Sequence, residues 1–164
     1  MMLDRLAVVG ANYLYLVQLL VALVFFLREP RARQVEMFAF GLVFFPLVLL
    51  VAEGVGLVYY DPRPFMVGHF APLIPHTPDN GFPSDHALLT SAVATLFLYF
   101  EVPAGLLLWL LALLVGGARV YAGLHHAIDV LGAFACSLGL SPLAYLASRR
   151  WLAPPLLSRL RRRR

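Results

Sequence analysis

The sequence predicts an all-α fold: a polytopic membrane helical bundle of about five transmembrane helices with a structured extracytoplasmic loop. Hydrophobic residues make up 61% of the 164 residues and charged residues 13%. Mean hydropathy is +0.80, well outside the range of soluble domains. The apolar residues gather into runs of the length needed to cross a hydrocarbon core about 30 Å thick, which takes roughly 20 helical residues. Six of the twelve prolines fall between Asp61 and Ser84, so that segment cannot be helical throughout and should follow a defined, extended path.

Taken in order, the first span is expected over Leu6–Leu27. Asp4 and Arg5 lead straight into it, without the basic, apolar, small-residue order of a cleavable signal, so nothing is expected to be removed. Asn12 and Gln18 inside this run leave room for an irregular helix. Val35–Tyr60 is the second span and carries an intramembrane acid, Glu53, to which no role is assigned. The third, Asp85–Phe100, is short, about 24 Å at 1.5 Å per residue, so its Ser84 end should be recessed below the lipid headgroups. Val102–Tyr121 and Ala127–Leu146 complete the set. One helical unit is expected over residues 1–164, with a motif-bearing core at 53–146 and an arginine-rich tail at 149–164.

Composition excludes several function classes. All 13 basic residues are arginine, which rules out lysine chemistry. The single Cys136 rules out a disulfide framework and a thiolate zinc site. Seven arginines between Arg149 and Arg164 supply most of the net charge of +4, and at the end of a membrane span they read as an anchor near anionic lipid rather than a nucleic-acid site. Together with Arg28, Arg31 and Arg33 they put ten of the thirteen arginines on one side, which should be cytoplasmic and hold the C-terminus. The N-terminus, the 61–84 loop and all five histidines then fall on the other side.

Three clusters lie at span ends on that side: D-P-R-P-F at 61–65, P-S-D-H at 83–86 and A-R-V-Y-A-G-L-H-H-A-I-D at 118–129. His125 and Asp129 are four residues apart at the start of the fifth helix and should share a face, the carboxylate fixing one imidazole nitrogen and leaving the other to attack or to bind metal. The same spacing also suits a buried pair that only joins two helices. Arg119 ends the fourth span with no acid beside it in sequence, so something distant or bound must neutralise it. Arg63, clamped by Pro62 and Pro64, is either an interfacial snorkelling side chain or the second half of a phosphate cradle. Ser84 is a good N-cap, and the free backbone N–H groups of Asp85, His86 and Ala87 make the helix start an anion site. An imidazolium at His86 would donate a proton to a departing oxygen.

The order R-P, P-S-x-H and R-x5-H-x3-D at helix ends resembles the three-part signature of the type-2 phosphatidic acid phosphatase superfamily, integral membrane lipid phosphatases related to vanadium haloperoxidases. Within it, Y-Y-D-P-R-P-F followed by I-P-H-T-P-D-N-G-F-P-S-D-H is most similar to bacterial undecaprenyl diphosphate phosphatases of the bacitracin-resistance type. The resemblance implies His125 as the nucleophile forming a phosphohistidine, Asp129 as its orienting carboxylate and His86 as the general acid. It implies Arg63, Arg119 and Ser84, with backbone N–H groups, on the phosphoryl oxygens, and no metal or cofactor.

Two departures from the superfamily pattern bear on the phosphate contacts. The lysine that usually stands seven residues before the arginine is here Gly56, and Asp85 replaces the glycine of P-S-G-H. In the diphosphate branch these forms are common, so Asp85 joins the candidate substrate residues, either pairing with an arginine or stabilising protonated His86. His126 should point about 100° away from His125 and is expected to be structural or to touch a headgroup, while His69 and His76 are candidate substrate contacts from the loop. The expected partners are a lipid (di)phosphate substrate and membrane lipids, with no nucleic acid and no obligatory protein partner. The expected location is a bacterial cytoplasmic (inner) membrane. Three alternatives stay open: a phosphatase of phosphatidic acid or phosphatidylglycerol phosphate, a metal-dependent hydrolase using His86, His125 and Asp129 as ligands, and a non-catalytic lipid transporter.

Overall fold

A computed structural model describes residues 1–156. Six α-helices follow in order: α1 Met2–Arg28, α2 Arg31–Val58, α3 Pro64–Gly68, α4 Asp85–Leu98, α5 Val102–Tyr121 and α6 Ala127–Ala147, the last running on into a π-helical turn at Ser148–Leu152. Among the described residues there is no strand, only an isolated antiparallel bridge between Pro62 and Asn80. Four helices are long and apolar enough to cross a membrane: α1, α2, α5 and Ala127–Leu156. The remaining member of the bundle, α4, has 14 residues, about 21 Å of helix.

The shortness of α4 explains its place. It packs most extensively on α5 and α6 and also touches α1 and α2, so a helix rich in alanine, serine and threonine is shielded from lipid on nearly every side. Ala87, Thr90, Ser91, Ala92, Ala94 and Thr95 are all buried. Small side chains permit that close approach, and polar ones find partners within the bundle, as where Ser91 Oγ and Ser137 Oγ lie 2.7 Å apart between α4 and α6. Toward the far end Phe40 stacks on Phe44 and meets Tyr99 and Tyr145 edge-on, forming the aromatic part of the core.

Asn12 and Gln18 do not interrupt the first span: α1 is continuous over 27 residues. Gln18 is fully buried and donates from Nε2 to the Thr90 carbonyl of α4 at 2.8 Å, so its polarity joins two helices instead of breaking one. The loop is largely extended as expected, with α3 as its single helical turn.

Helix polarity sets up the two ends. The start of α1, the end of α2, the start of α4, the end of α5 and the start of α6 meet at one end. There Tyr121 donates to Asp4 at 3.2 Å and Asn80 reaches the Gly56 carbonyl. At the other end Arg33 pairs with Glu29 and Arg149 with Glu36 at 3.2 Å. Residues 157–164, with five of the tail arginines, lie outside the described residues.

Candidate active site

The loop from Asp61 to Ser84 is held by one side chain. Asn80 Oδ1 accepts from the backbone N–H groups of Asp61 and Phe82, at 2.9 and 3.1 Å, and its Nδ2 donates to the carbonyls of Gly56 and Tyr59, at 2.9 and 3.1 Å. An amide carries both a donor and an acceptor, so one asparagine closes both strands of the turn. The next residue, Gly81, donates to the Asp61 carbonyl at 2.8 Å. A Cβ at Gly81 would stand 2.9 Å from Asp129 Oδ2 and 3.2 Å from the Asp61 carbonyl oxygen, so only glycine lets the loop pass this close to the carboxylate.

Gly81 also orients the central histidine. His125 Nδ1 lies 3.0 Å from the Gly81 carbonyl oxygen and 3.3 Å from Asp129 Oδ2. Both neighbours only accept, so Nδ1 carries the proton. On the other side of the ring, Nε2 is 3.2 Å from Arg63 Nη1, and a guanidinium only donates, so Nε2 holds its lone pair. Burial, and after it the charges of Arg119 and Arg63, push the His125 pKa below the ordinary imidazole value against the pull of Asp129. The ring is therefore neutral at neutral pH, with its free nitrogen toward the arginines. The pair does not form on a helix face as expected. α6 begins at Ala127 with an extended His126 as N-cap, and Asp129 reaches back, its Oδ2 accepting also from the His126 N–H at 2.9 Å.

The two arginines differ in their partners. Arg63 is buried and does not snorkel: Nε pairs with Asp79 and Nη1 donates to the Leu124 carbonyl at 3.0 Å. Arg119 is equally buried, yet its Nε has no partner and Nη1 reaches only the Ala11 carbonyl, at 3.5 Å. Among the described residues it forms no salt bridge, and Arg63 is one of the charges acting on it. Two buried guanidiniums thus stand near one imidazole, and Arg119 forms no salt bridge to offset its charge among the described residues.

Ser84 stands at the N-cap position of α4, but its hydroxyl does not cap the helix as expected. Its Oγ is buried with no hydrogen-bond partner, while the backbone N–H of Ser84 is held by the Asp129 carbonyl at 3.2 Å. Unpaired buried polar atoms are rare, and this one lies at a helix N-terminus. His86, half-buried in the first turn of α4, packs edge-on against Tyr15 of α1 at 4.8 Å. Arg119, Asp85, His125 and His76 are its charged or titratable neighbours.

The remaining candidates separate. Asp85 is exposed and forms no ion pair among the described residues. With Arg63, Glu53, Asn80 and Gly56 it lines a cavity of about 240 Å³, so position 56, bare of a side chain, leaves that space open. His126 binds Asp61, Nδ1 to Oδ2, at 3.0 Å. His76 is exposed but neighbours His86 and Asp79. His69 is exposed at the left-handed end of α3 (φ 50°) and, among the described residues, makes no hydrogen bond to the cluster. Sequence reasoning missed Asp79, Asn80 and Gly81, although D-N-G is a strong turn signal, and it assigned Asp61 no role. For a metal, the ligand atoms brought within 4.8 Å of one another belong to Asp61, His126 and Asp129, not to His86, His125 and Asp129. In that group His126 Nδ1, Asp61 Oδ2 and Asp129 Oδ2 are already engaged in hydrogen bonds within the protein.

Fold and site together define an integral membrane helical protein with a buried imidazole–carboxylate pair and two buried arginines near it. Residues 38–152 match the PAP2 superfamily, and the chain belongs to that superfamily. Undecaprenyl-diphosphatase BcrC of Bacillus subtilis is 36% identical over 90 residues, 55% of this chain and 47% of that one. The bacitracin transport permease protein BcrC of Bacillus licheniformis is 30% identical over 121 residues, 73% of this chain and 57% of that one. This chain therefore spans about half the length of the curated relatives it matches. The crystal structure of Aquifex aeolicus LpxE has the same fold, with a TM-score of 0.63 at 21% identity, covering 92% of this chain and 87% of that one.

Proposed function

We propose that the protein is a membrane lipid phosphatase that hydrolyses undecaprenyl diphosphate to undecaprenyl phosphate and inorganic phosphate through a phosphohistidine. The observation that carries this reading is the neutral His125, its Nε2 lone pair 3.2 Å from Arg63 and close to the unneutralised Arg119. Nε2 attacks the terminal phosphorus, forming an N–P bond as the bond from phosphorus to the bridging oxygen breaks. His86 gives its proton to the departing lipid monophosphate. Water then attacks the phosphohistidine, His86 takes the water's proton, and the N–P bond electrons return to Nε2 as phosphate leaves. Throughout, the proton on Nδ1 stays between Gly81 and Asp129, which hold the ring in register. Arg63, Arg119, the Ser84 hydroxyl and the α4 N–H groups stabilise the charge that develops on the phosphoryl oxygens. Asp85 faces the same anion and is assigned to substrate phosphate recognition, with His126, His69 and His76 as outer contacts.

The choice of a diphosphate rests on P-S-D-H with no lysine at position 56, and on the relative from B. subtilis. Arginines gathered at the end opposite the site support an extracytoplasmic active site in the inner membrane with a cytoplasmic C-terminus. Purified protein should release phosphate from undecaprenyl diphosphate faster than from phosphatidic acid or phosphatidylglycerol phosphate, and the reverse order would replace the diphosphate reading by the other lipid phosphatase. The permease name of the B. licheniformis relative raises a transport reading, and His125→Ala separates the two. Folded variant with no phosphate release supports catalysis; undiminished release ends the phosphohistidine proposal.

A further inference from the structure

Beside the His125–Asp129 pair lies a second pair, His126–Asp61, to which the proposed bond-making steps give no part. Asp129 is fully buried. Its Oδ2 faces His125 Nδ1 at 3.3 Å and the His126 N–H at 2.9 Å, but its Oδ1 has no partner. A carboxylate oxygen left bare in a buried site is costly. A second carboxyl stands beside Asp129: one ligand atom each of Asp61, Asp129 and His126 lie within 4.8 Å of one another. Two carboxylates this close do not both stay ionised without a cation or a proton between them.

We propose that Asp61 is a positioning residue for the phosphoryl transfer: its carboxyl keeps a proton and donates it to Asp129 Oδ1, leaving Oδ2 to hold His125. One proton completes the hydrogen-bond count. His126 donates from Nδ1 to Asp61 Oδ2 at 3.0 Å; Asp61 donates to Asp129 Oδ1; His125 and the His126 backbone donate to Asp129 Oδ2. Asp129 Oδ1, otherwise unpaired, then has a donor. Asp61 itself is fixed by backbone bonds, its N–H to Asn80 Oδ1 at 2.9 Å and its carbonyl from the Gly81 N–H at 2.8 Å.

The titratable groups that face Asp61 are Asp129 on α6 and His126 in the turn before it; the loop side offers Asn80 and backbone. Burial, then the hydrogen bond and charge of Asp129, raise the Asp61 pKa above the ordinary carboxylate value, while His126 opposes them. The sign follows: below the raised pKa Asp61 is neutral and Asp129 is held. As pH rises through it the proton is lost, two carboxylates repel, and extra negative charge stands beside an anionic substrate, so turnover falls on the alkaline side.

The role rests on the phosphatase reading, and the test uses two independent readouts on the full chain in detergent. For undecaprenyl diphosphate turnover, Asp61→Ala should lower kcat by about tenfold or more, the scale of a displaced catalytic group. Asp61→Asn, whose amide accepts from His126 and donates to Asp129, should recover most of that loss and lack the alkaline decline. In infrared difference spectra, wild type minus Asp61→Asn should show the carbonyl stretch of a protonated carboxyl at neutral pH. An unchanged alkaline limb in Asp61→Asn, equal impairment of both variants, or no carboxyl band in the difference spectrum would each overturn the proposal. If the wild type releases no phosphate from any lipid the functional reading fails, while the infrared result still decides whether Asp61 holds the proton.

Discussion

Replacing Arg119 by glutamine separates a substrate cation from a structural one. The side chain is buried, has an unpartnered Nε, and makes a single bond at the 3.5 Å limit, to the Ala11 carbonyl. Removing it breaks almost nothing inside the protein and relieves a buried charge that sits near another arginine. The unfolding temperature of Arg119→Gln should therefore stay level or rise. With substrate bound, the guanidinium gives two charge-assisted hydrogen bonds to phosphoryl oxygens, each contributing roughly 1.5 kcal/mol at the low end. Their loss, about 3 kcal/mol, corresponds to about a hundredfold drop in kcat/KM at 1.4 kcal/mol per tenfold. Arg63→Gln is the internal contrast: Asp79 and the Leu124 carbonyl lose their donors, so stability and activity should fall together. The measurements are phosphate release from undecaprenyl diphosphate and thermal unfolding in the same detergent. A lowered unfolding temperature in Arg119→Gln with kcat/KM within about threefold of wild type would refute the reasoning, since it would make Arg119 a structural cation.

The acid side of the pH profile of kcat/KM should follow His125: with its pKa held below the ordinary imidazole value by burial and by Arg119 and Arg63, activity persists into mildly acidic solution and is lost as pH falls through that lowered value. Arg119→Gln should move this limb to higher pH, and a limb that stays in place would show that another group sets it. Gly81→Ala places a Cβ 2.9 Å from Asp129 Oδ2; it should lower kcat by about a hundredfold through a shift of order 1 Å in the His125–Asp129 pair, with KM little changed, and near-normal turnover would show that the loop has slack. Phosphate release should continue in excess chelator and be inhibited by vanadate, which mimics five-coordinate phosphorus; loss of activity on chelation, restored by a divalent cation, would support the metal-dependent alternative.

Much of this site is legible along the chain because its parts are local. A proline pair around Arg63, a serine before a helix, an arginine in the last turn of α5 and a histidine four residues before an aspartate are short-range signals whose chemistry does not depend on the fold. The contacts that assemble them are not local. Arg63 and His125 are separated by 62 residues, Gly81 and His125 by 44, Asp61 and His126 by 65. Gly81 sits in a D-N-G turn signal, and its role as the carbonyl that fixes a tautomer follows only from where the turn is carried. Ser84 shows the reverse. A serine before a helix predicts capping whether or not its hydroxyl makes the bond, so the sequence had no means of separating a cap from a buried, unpaired hydroxyl. Gln18 in α1 read as a possible break until Thr90 of α4 supplied its acceptor.

Hydropathy runs, prolines and helix-end residues suffice, from the chain alone, for an all-helical membrane bundle with its arginines at one end and its histidines at the other. These signals, which place most but not all of the arginines at the end away from the histidines, act through solvation and backbone geometry, which each segment meets by itself. Which oxygen of Asp129 holds His125, which arginine is left without a counter-ion, and that Asp61 stands beside a buried carboxylate were decided by packing. Those are distances between segments, and charges buried together interact through distance, not through sequence separation.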